Sequence, residues 1–497
     1  MSMMEKSDLP KVARKRANKA APAAAEFAER RGRAKENAEL QSTVRTQSRE
    51  AVSQAQARIR EAVSRNRQGK LTALLHHISV DILRASFFGL KKSAAPGVDE
   101  MTWADYAGDL ESNLLDLHNR VHRGAYRALP SRRTYIPKAD GRQRPLGIAS
   151  LEDKIVQAAV VAILTPIYEA EFLGFSYGFR PGRNQHQALD ALAFGIGKKR
   201  VNWILDCDVQ SFFDKVSREW LVRFVEHRIG DRRIVRLISK WLTAGVLEDG
   251  CLIESEEGTP QGAVISPLLA NIYLHYVYDL WARQWRKRCA TGDMIVVRYA
   301  DDSIVGFEHR HEAEQFLTDL KVRLACFGLN LHPDKTRLIE FGRFAIANRR
   351  AQGRGKPESF TFLGFTHYCA TRRNGSGFVL GRKPMAKRMR TKLREIKEKL
   401  MATRHEGIDG QGQWLAQVLR GWMAYYAVPM SGSALSAFRH HMIERWHGAL
   451  MRRSQRRRLT WTRMKKVADR YLPFPRILHP WPEQRFLVTI QGKSPVR

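Results

Sequence analysis

From about Leu71 onward, apolar residues recur in clusters separated by turn signals, whereas the stretch before it carries few. Leu71, Leu74, Leu75, Ile78, Ile82 and Leu83 fall at the spacing of one helical face and predict a helix, which leads into a turn at Ala95-Pro96-Gly97-Val98-Asp99. Thr134-Tyr135-Ile136-Pro137-Lys138 and Arg144-Pro145-Leu146-Gly147-Ile148, either side of Asp140-Gly141, predict a hairpin. Residues 294–307, MIVVRYADDSIVGF, predict a second hairpin, with two β-branched runs flanking Ala300-Asp301-Asp302. Trp203 to Leu205 read as a buried strand, and Ser211-Phe212-Phe213-Asp214 as the turn into the next helix. GTPQG (258–262) reads as a loop before a helix with Ser266 as N-cap and Pro267 in its first turn. Leu268, Leu269, Ile272, Tyr276 and Leu280 give that helix its core face. Strands and helices alternate to about residue 368, and 387–404 and 413–428 then predict two helices in a basic region. The proline-punctuated 471–486 predicts irregular structure. The pattern is therefore an α/β region followed by an α-helical one, without internal repeats.

Charge changes the picture more than the rest of the composition. Across 497 residues, 85 Lys and Arg stand against 50 Asp and Glu, a formal net charge of +35. A folded chain with that excess repels itself unless a polyanion neutralises it, so nucleic acid is the expected partner. Residues 1–68 are rich in Ala, Arg, Lys, Glu and Gln, with Phe27 their only aromatic, and predict a basic, mobile arm that buries little. The five cysteines form no C-x-x-C pair, and the N-terminus has no apolar core of a leader. A soluble cytoplasmic protein with no membrane partner is expected.

The acids carry the candidate chemistry. Nucleotidyl transfer uses two divalent cations about 4 Å apart, and hard cations take carboxylate oxygens. Adjacent residues in a strand point to opposite faces, so Asp301 and Asp302 approach one site only near a turn. Asp206 and Asp208 share one face of the 203–208 strand, and pattern alone leaves the choice between them open. Asp214 reads equally as a site acid or as a helix cap. Lys138 and Arg144, on opposite arms of the first hairpin, are placed to close on a triphosphate.

Together these segments resemble reverse transcriptases, and further blocks match the group II intron subfamily in order. They are PGVDEMTW (96–103), RRTYIPKADGRQRPLGI (132–148), SYGFRPGR (176–183), ILDCDVQSFFDKV (204–216), GTPQGAVISPLLANIYL (258–274), RYADD (298–302), LNLHPDKT (329–336) and FTFLGF (360–365). The resemblance implies a right-hand polymerase: an arm to residue 68, fingers and palm with an antiparallel palm sheet over 69–368, a helical thumb or maturase domain over 369–450, and a basic DNA-binding-like tail over 451–497. It implies Asp208, Asp301 and Asp302 as the catalytic metal ligands, holding two Mg²⁺ ions with Mn²⁺ as a substitute, and leaves Asp206 as a neighbour. It assigns the dNTP to Lys138, Arg144, Phe213, Gln261 and Lys335, with Phe213 beneath the sugar excluding a 2′-OH. The basic helices imply nucleic-acid contacts at Arg388 and Lys392, and the run near 452–458 at Arg452, Arg453, Arg456, Arg457 and Arg458. The implied partners are a group II intron RNA, a DNA target and primer, and dNTPs, in a bacterial cytoplasm and at the nucleoid when engaged with DNA. No cysteine follows Cys369, so no cysteine-bound HNH endonuclease is expected, and the primer would come from elsewhere. The implied activity is RNA-directed DNA synthesis with assistance to splicing. The rival readings are an RNA-binding maturase with incidental polymerisation and a reverse transcriptase domesticated for phage defence.

Overall fold

The computed structural model describes residues 46–137, 143–248, 251–253, 262–372, 377–453 and 459–489. Its central sheet has the strand order β6-β7-β3-β8, formed by β3 (Trp203–Asp208), β6 (Met294–Tyr299), β7 (Asp302–Phe307) and β8 (Arg337–Glu340), with every pair antiparallel. Side chains alternate between the faces of this sheet. Leu205, Cys207, Val296, Val305 and Phe307 join one apolar core, which includes the buried helix Leu151–Glu169. Ile204, Ile295, Val297, Ile304 and Ile339 join a second core with the C-terminal helices. Coverage on both faces is why MIVV reads as an unbroken apolar run rather than as an alternation.

Two smaller sheets flank this centre. β1 (Ser131–Pro137) and β2 (Gln143–Ile148) form the expected hairpin, with Pro137 opposite Gln143; the turn itself and Lys138 lie outside the described residues. β1 also pairs in parallel with β4 (Val246–Glu248), which continues to β5 (Cys251–Ile253). β9 (Phe360–Phe362), β10 (Phe365–Thr371) and β11 (Phe378–Pro384) make an antiparallel sheet leading into helices Ala386–Ala402, Ile408–Tyr426 and Gly432–Met451. Trp422 and Tyr426 are buried among these helices, whereas Trp414 and Tyr425 are half-buried.

Four expectations need correction. The apolar positions from Leu71 to Leu83 are not one helix. Leu71 bridges to Ile229, the Asp231 carboxylate accepts the Leu74 and Leu75 N–H groups at 2.9 Å each, and Ser79 caps a separate helix, Val80–Gly89. Residues 46–65, within the supposed arm, form a helix that buries Ala55, Ile59 and Val63 in the first core and also buries Ser48. One small or apolar residue per turn makes a stripe too narrow to stand out from a polar composition. Residues 1–45 lie outside the described residues. The proline-rich tail is not wholly irregular, since Pro482–Thr489 is helical. Ser266 is the first helical residue rather than the cap; Ile265 occupies that position, and the Gln157 side-chain oxygen accepts from the Val264 and Ile265 N–H groups at 2.9 and 3.4 Å. Among the described residues, no helix is long and apolar enough to cross a membrane.

Candidate active site

Tyr299 pairs with Asp302 across the β6–β7 hairpin, which leaves Ala300 and Asp301 as a two-residue turn, with Ala300 at φ +56°. Asp208, the last residue of β3, lies directly opposite Asp302 in the β3–β7 register. Directly opposed residues have Cα atoms about 4.5–5.5 Å apart and side chains on one face. Register, rather than proximity in sequence, therefore brings acids from distant segments together. Asp206 shares that face two residues earlier and lies opposite Arg337. Lys335 donates to Asp208 Oδ2 at 2.9 Å. Asp206, Asp208, Asp302, Lys335, Arg337 and Arg388 border a cleft of about 450 Å³.

The acids bear on one another. Asp302 is exposed and borders this cleft. Desolvation there, with the charges of Asp301, Asp208 and Asp206, pushes its carboxyl up to about 7 against the pull of Lys335. Desolvation raises Asp301 as well, with Asp208 adding and Arg144 and Arg298 opposing. Asp206 is likewise pushed up to about 7 by desolvation, opposed by Arg337. Among the described residues, no three acidic, imidazole or thiol groups form a ready-made metal cage. A set of clustered carboxylates that disfavour their own charge fits Mg²⁺, which binds through one or two carboxylates and completes its shell with water and substrate phosphates.

Arg298, the Arg of RYADD, turns inward beneath the turn. It is 1 % exposed and makes a two-pronged pair with the fully buried Asp279 at 2.7 and 2.6 Å. Its remaining N–H groups donate to Ser176 Oγ at 2.7 Å, Asn271 Oδ1 at 3.1 Å and the Ala300 carbonyl at 2.8 Å. Asp279 ends a π-helical turn, His275–Asp279, between helices Ser266–Leu274 and Leu280–Arg288. The extra residue of such a turn re-aims side chains, as is common at functional sites.

Across the cleft, β9 and β10 join through Leu363 at φ +48° and Gly364 at φ +82°, both left-handed as tight hairpin turns require. A Cβ on Gly364 would lie 2.6 Å from Arg388 Nη1. Gly364→Ala is therefore expected to cost about 1–2 kcal/mol of stability, to displace Arg388 and, on the expectation that Arg388 follows a duplex backbone, to weaken binding of a primer–template duplex. Thermal denaturation and fluorescence anisotropy read the two effects, and unchanged values for both would refute this role for the turn.

The remaining expected residues divide. Arg144 is exposed on β2, and its charge reaches Asp301. Phe213 is half-buried, edge-on to Phe212 with ring centres 5.3 Å apart. Asp214 is in the first turn of helix Phe212–Lys215 rather than its cap, which is Ser211. Arg388 and Lys392 line a groove of about 550 Å³ with Gln185, Gln417, Gly421 and Tyr425. Arg452 and Arg453 instead turn to the chain's own Met401 sulfur and Glu406 carbonyl. Gln261 and Arg456–Arg458 lie outside the described residues. Sequence reasoning missed Arg298, Asp279, Asn271 and Ser176; an arginine beside two aspartates in an otherwise apolar strand was the available signal.

A sequence profile described as reverse transcriptase (RNA-dependent DNA polymerase) matches residues 136–367, a span holding the whole central sheet. Protein YkfC of Escherichia coli (strain K12) is 35 % identical over 288 residues, covering 50 % of this chain and 73 % of YkfC. The chain belongs to the reverse transcriptase family. As an RNA-directed DNA polymerase it has the right-hand polymerase fold, of mixed helix and sheet. Other relatives are intron-encoded proteins or intron maturases. The group II intron-encoded protein LtrA of Lactococcus lactis subsp. cremoris is 35 % identical over 226 residues, covering 44 % of this chain and 37 % of LtrA. Nuclear intron maturase 3, mitochondrial, of Arabidopsis thaliana is 27 % identical over 182 residues, covering 32 % of this chain and 25 % of that protein. The reverse transcriptase thus spans little more than a third of LtrA's length.

Proposed function

We propose that this reverse transcriptase copies a group II intron RNA into DNA at a DNA target, extending a DNA primer, and also assists splicing of that RNA. The single observation that carries the polymerase site is the register placing Asp208 opposite Asp302 beside the Ala300-Asp301 turn. In this reading the central sheet is the palm, the β1–β2 hairpin belongs to the fingers, and helices Ala386–Ala402, Ile408–Tyr426 and Gly432–Met451 form the thumb. Asp208, Asp301 and Asp302 would hold Mg²⁺, which when bound would supply activation of the primer 3′ oxygen and charge neutralisation at the leaving pyrophosphate. Lys138 and Arg144 orient the triphosphate from the hairpin arms, with Gln261 against the nucleotide or template. Lys335, tied to Asp208, adds a cation beside the reacting phosphates. Phe213 sits under the sugar and excludes a 2′-OH. Arg388 and Lys392 follow the duplex backbone, and Arg452 to Arg458 the DNA beyond it.

Primer extension on an RNA template tests this reading. Template-dependent DNA synthesis that chelation abolishes is the expected result. Phe213→Ala should raise ribonucleotide incorporation on the order of tenfold or more. No synthesis by folded protein that still binds RNA would instead make the chain a maturase whose polymerase site is incidental.

A further inference from the structure

The segment 173–180 packs directly on the catalytic turn. The Tyr177 N–H donates to the Arg298 carbonyl, and the Arg298 N–H to the Phe175 carbonyl, both at 2.9 Å. A Cβ on Gly178 would lie 2.3 Å from the Ala300 nitrogen, so the two backbones touch. From the other side the buried Arg180 grips Glu169 with two bonds of 2.9 Å and donates to the Leu173 and Ser176 carbonyls at 2.7 and 2.8 Å. Within this braced segment Phe179 alone is exposed.

Phe179 is anomalous twice over. Its backbone is left-handed, at φ +57°, a conformation that bulky residues rarely adopt. The residue is 53 % exposed, although its phenyl ring carries no polar group to hydrate. Strain of this kind persists only where the surroundings over-determine it, and it concentrates at functional sites. The ring centre lies 6.5 Å from that of Tyr299, next to the catalytic acids. Phe179 also lines a cavity of about 220 Å³ with Pro181, Val264 and Pro267. A neighbouring cavity of about 470 Å³ shares Thr165, Glu169 and Pro181 with it and reaches Arg60 on helix 46–65. The two cavities lead from the apolar residues about Phe179, past Glu169 in its pair with Arg180, to Arg60. The groove holding Arg388 and Lys392 is a separate feature, meeting Tyr299 through Gln185.

We propose that the Phe179 ring is a stacking platform for an unpaired template base approaching the catalytic turn. The proposal rests on the polymerase reading. A polymerase must accept any template sequence, and an aromatic face does so because every base has a π-face. The strained, braced backbone holds the ring in place before the template arrives, so little side-chain freedom is lost on binding.

2-Aminopurine placed at successive positions of the template overhang tests it, together with the affinity for primer–template duplexes of long and blunt overhang. In the wild type, fluorescence at one unpaired position next to the primer terminus is quenched on binding. Phe179→Asn, which tolerates the left-handed backbone, should lose that quench and bind the long-overhang substrate about tenfold more weakly. Blunt-duplex affinity and thermal stability should be kept. Phe179→Tyr should behave as wild type. A Phe179→Asn protein that keeps both quench and overhang affinity overturns the platform, as does a loss affecting blunt and overhanging substrates equally. Failure of the polymerase reading looks different, since the wild type itself would then extend no primer.

Discussion

Asp302→Asn should reduce primer extension by roughly 10³-fold or more while making the metal-free protein more resistant to heat. The loss follows from position. Asp302 faces Asp208 across the β3–β7 register and adjoins the Asp301 turn, so the amide removes one anionic oxygen donor from the proposed cation site. The gain in stability follows from electrostatics. A carboxyl raised to about 7 in the folded chain resists ionisation there, so at alkaline pH its charge works against folding. Because the native state binds this proton more tightly than the unfolded chain, the penalty is full above about 7 and fades as pH falls through that value. Asp302 is open to the cleft, which screens the effect, and about 1 kcal/mol is the reasonable scale. In chelator, the melting temperature of Asp302→Asn should exceed that of the wild type at alkaline pH, and the two should converge on acidification. A variant that is inactive but also less stable at alkaline pH would show a structural role for Asp302 instead.

Arg298→Met should destabilise the protein by about 3–5 kcal/mol, because it strands Asp279 as a buried, unpaired charge. The double variant Arg298→Met with Asp279→Leu removes both charges and should regain most of that stability. Full polymerase activity should not return with it. The Ala300 carbonyl, the Asn271 amide oxygen and the Ser176 hydroxyl all lose the donor that fixes the turn. Arg298 is thus a positioning residue: the double variant should show a lowered kcat at nearly unchanged KM for dNTP. Arg298→Lys should not substitute, since an ammonium cannot reproduce the planar fork that meets Asp279 and Ala300 together. Chemical denaturation reads the stability, and steady-state extension reads the catalysis. Full activity in the double variant would show that the network serves folding alone.

Much of this molecule is legible along the chain. Both hairpins follow from short β-branched or aromatic runs around turn residues, and Asp301 and Asp302 are visible as candidates because a turn is the one place where adjacent side chains share a site. The blocks from PGVDEMTW to FTFLGF carry the family resemblance on their own. What tertiary structure alone decided depends on residues far apart in sequence. Periodicity puts Asp206 and Asp208 on one face, but only the β3–β7 register sets Asp208 opposite Asp302 and Asp206 opposite Ile304. A helical apolar pattern from Leu71 to Leu83 is interrupted because Asp231, more than 150 positions away, takes the Leu74 and Leu75 N–H groups. Helix 46–65 is buried by a partner surface its own composition does not announce, and Gln56 donates to the Ala162 carbonyl at 3.0 Å. The Arg298–Asp279 pair joins a strand to a π-helical turn, and the left-handed Phe179 lies in a segment that Arg180 and Arg298 brace. Local propensity and side-chain period are properties of neighbours in sequence, so they specify elements; registers, buried ion pairs and braced loops are contacts between elements, and they exist only once the chain has closed.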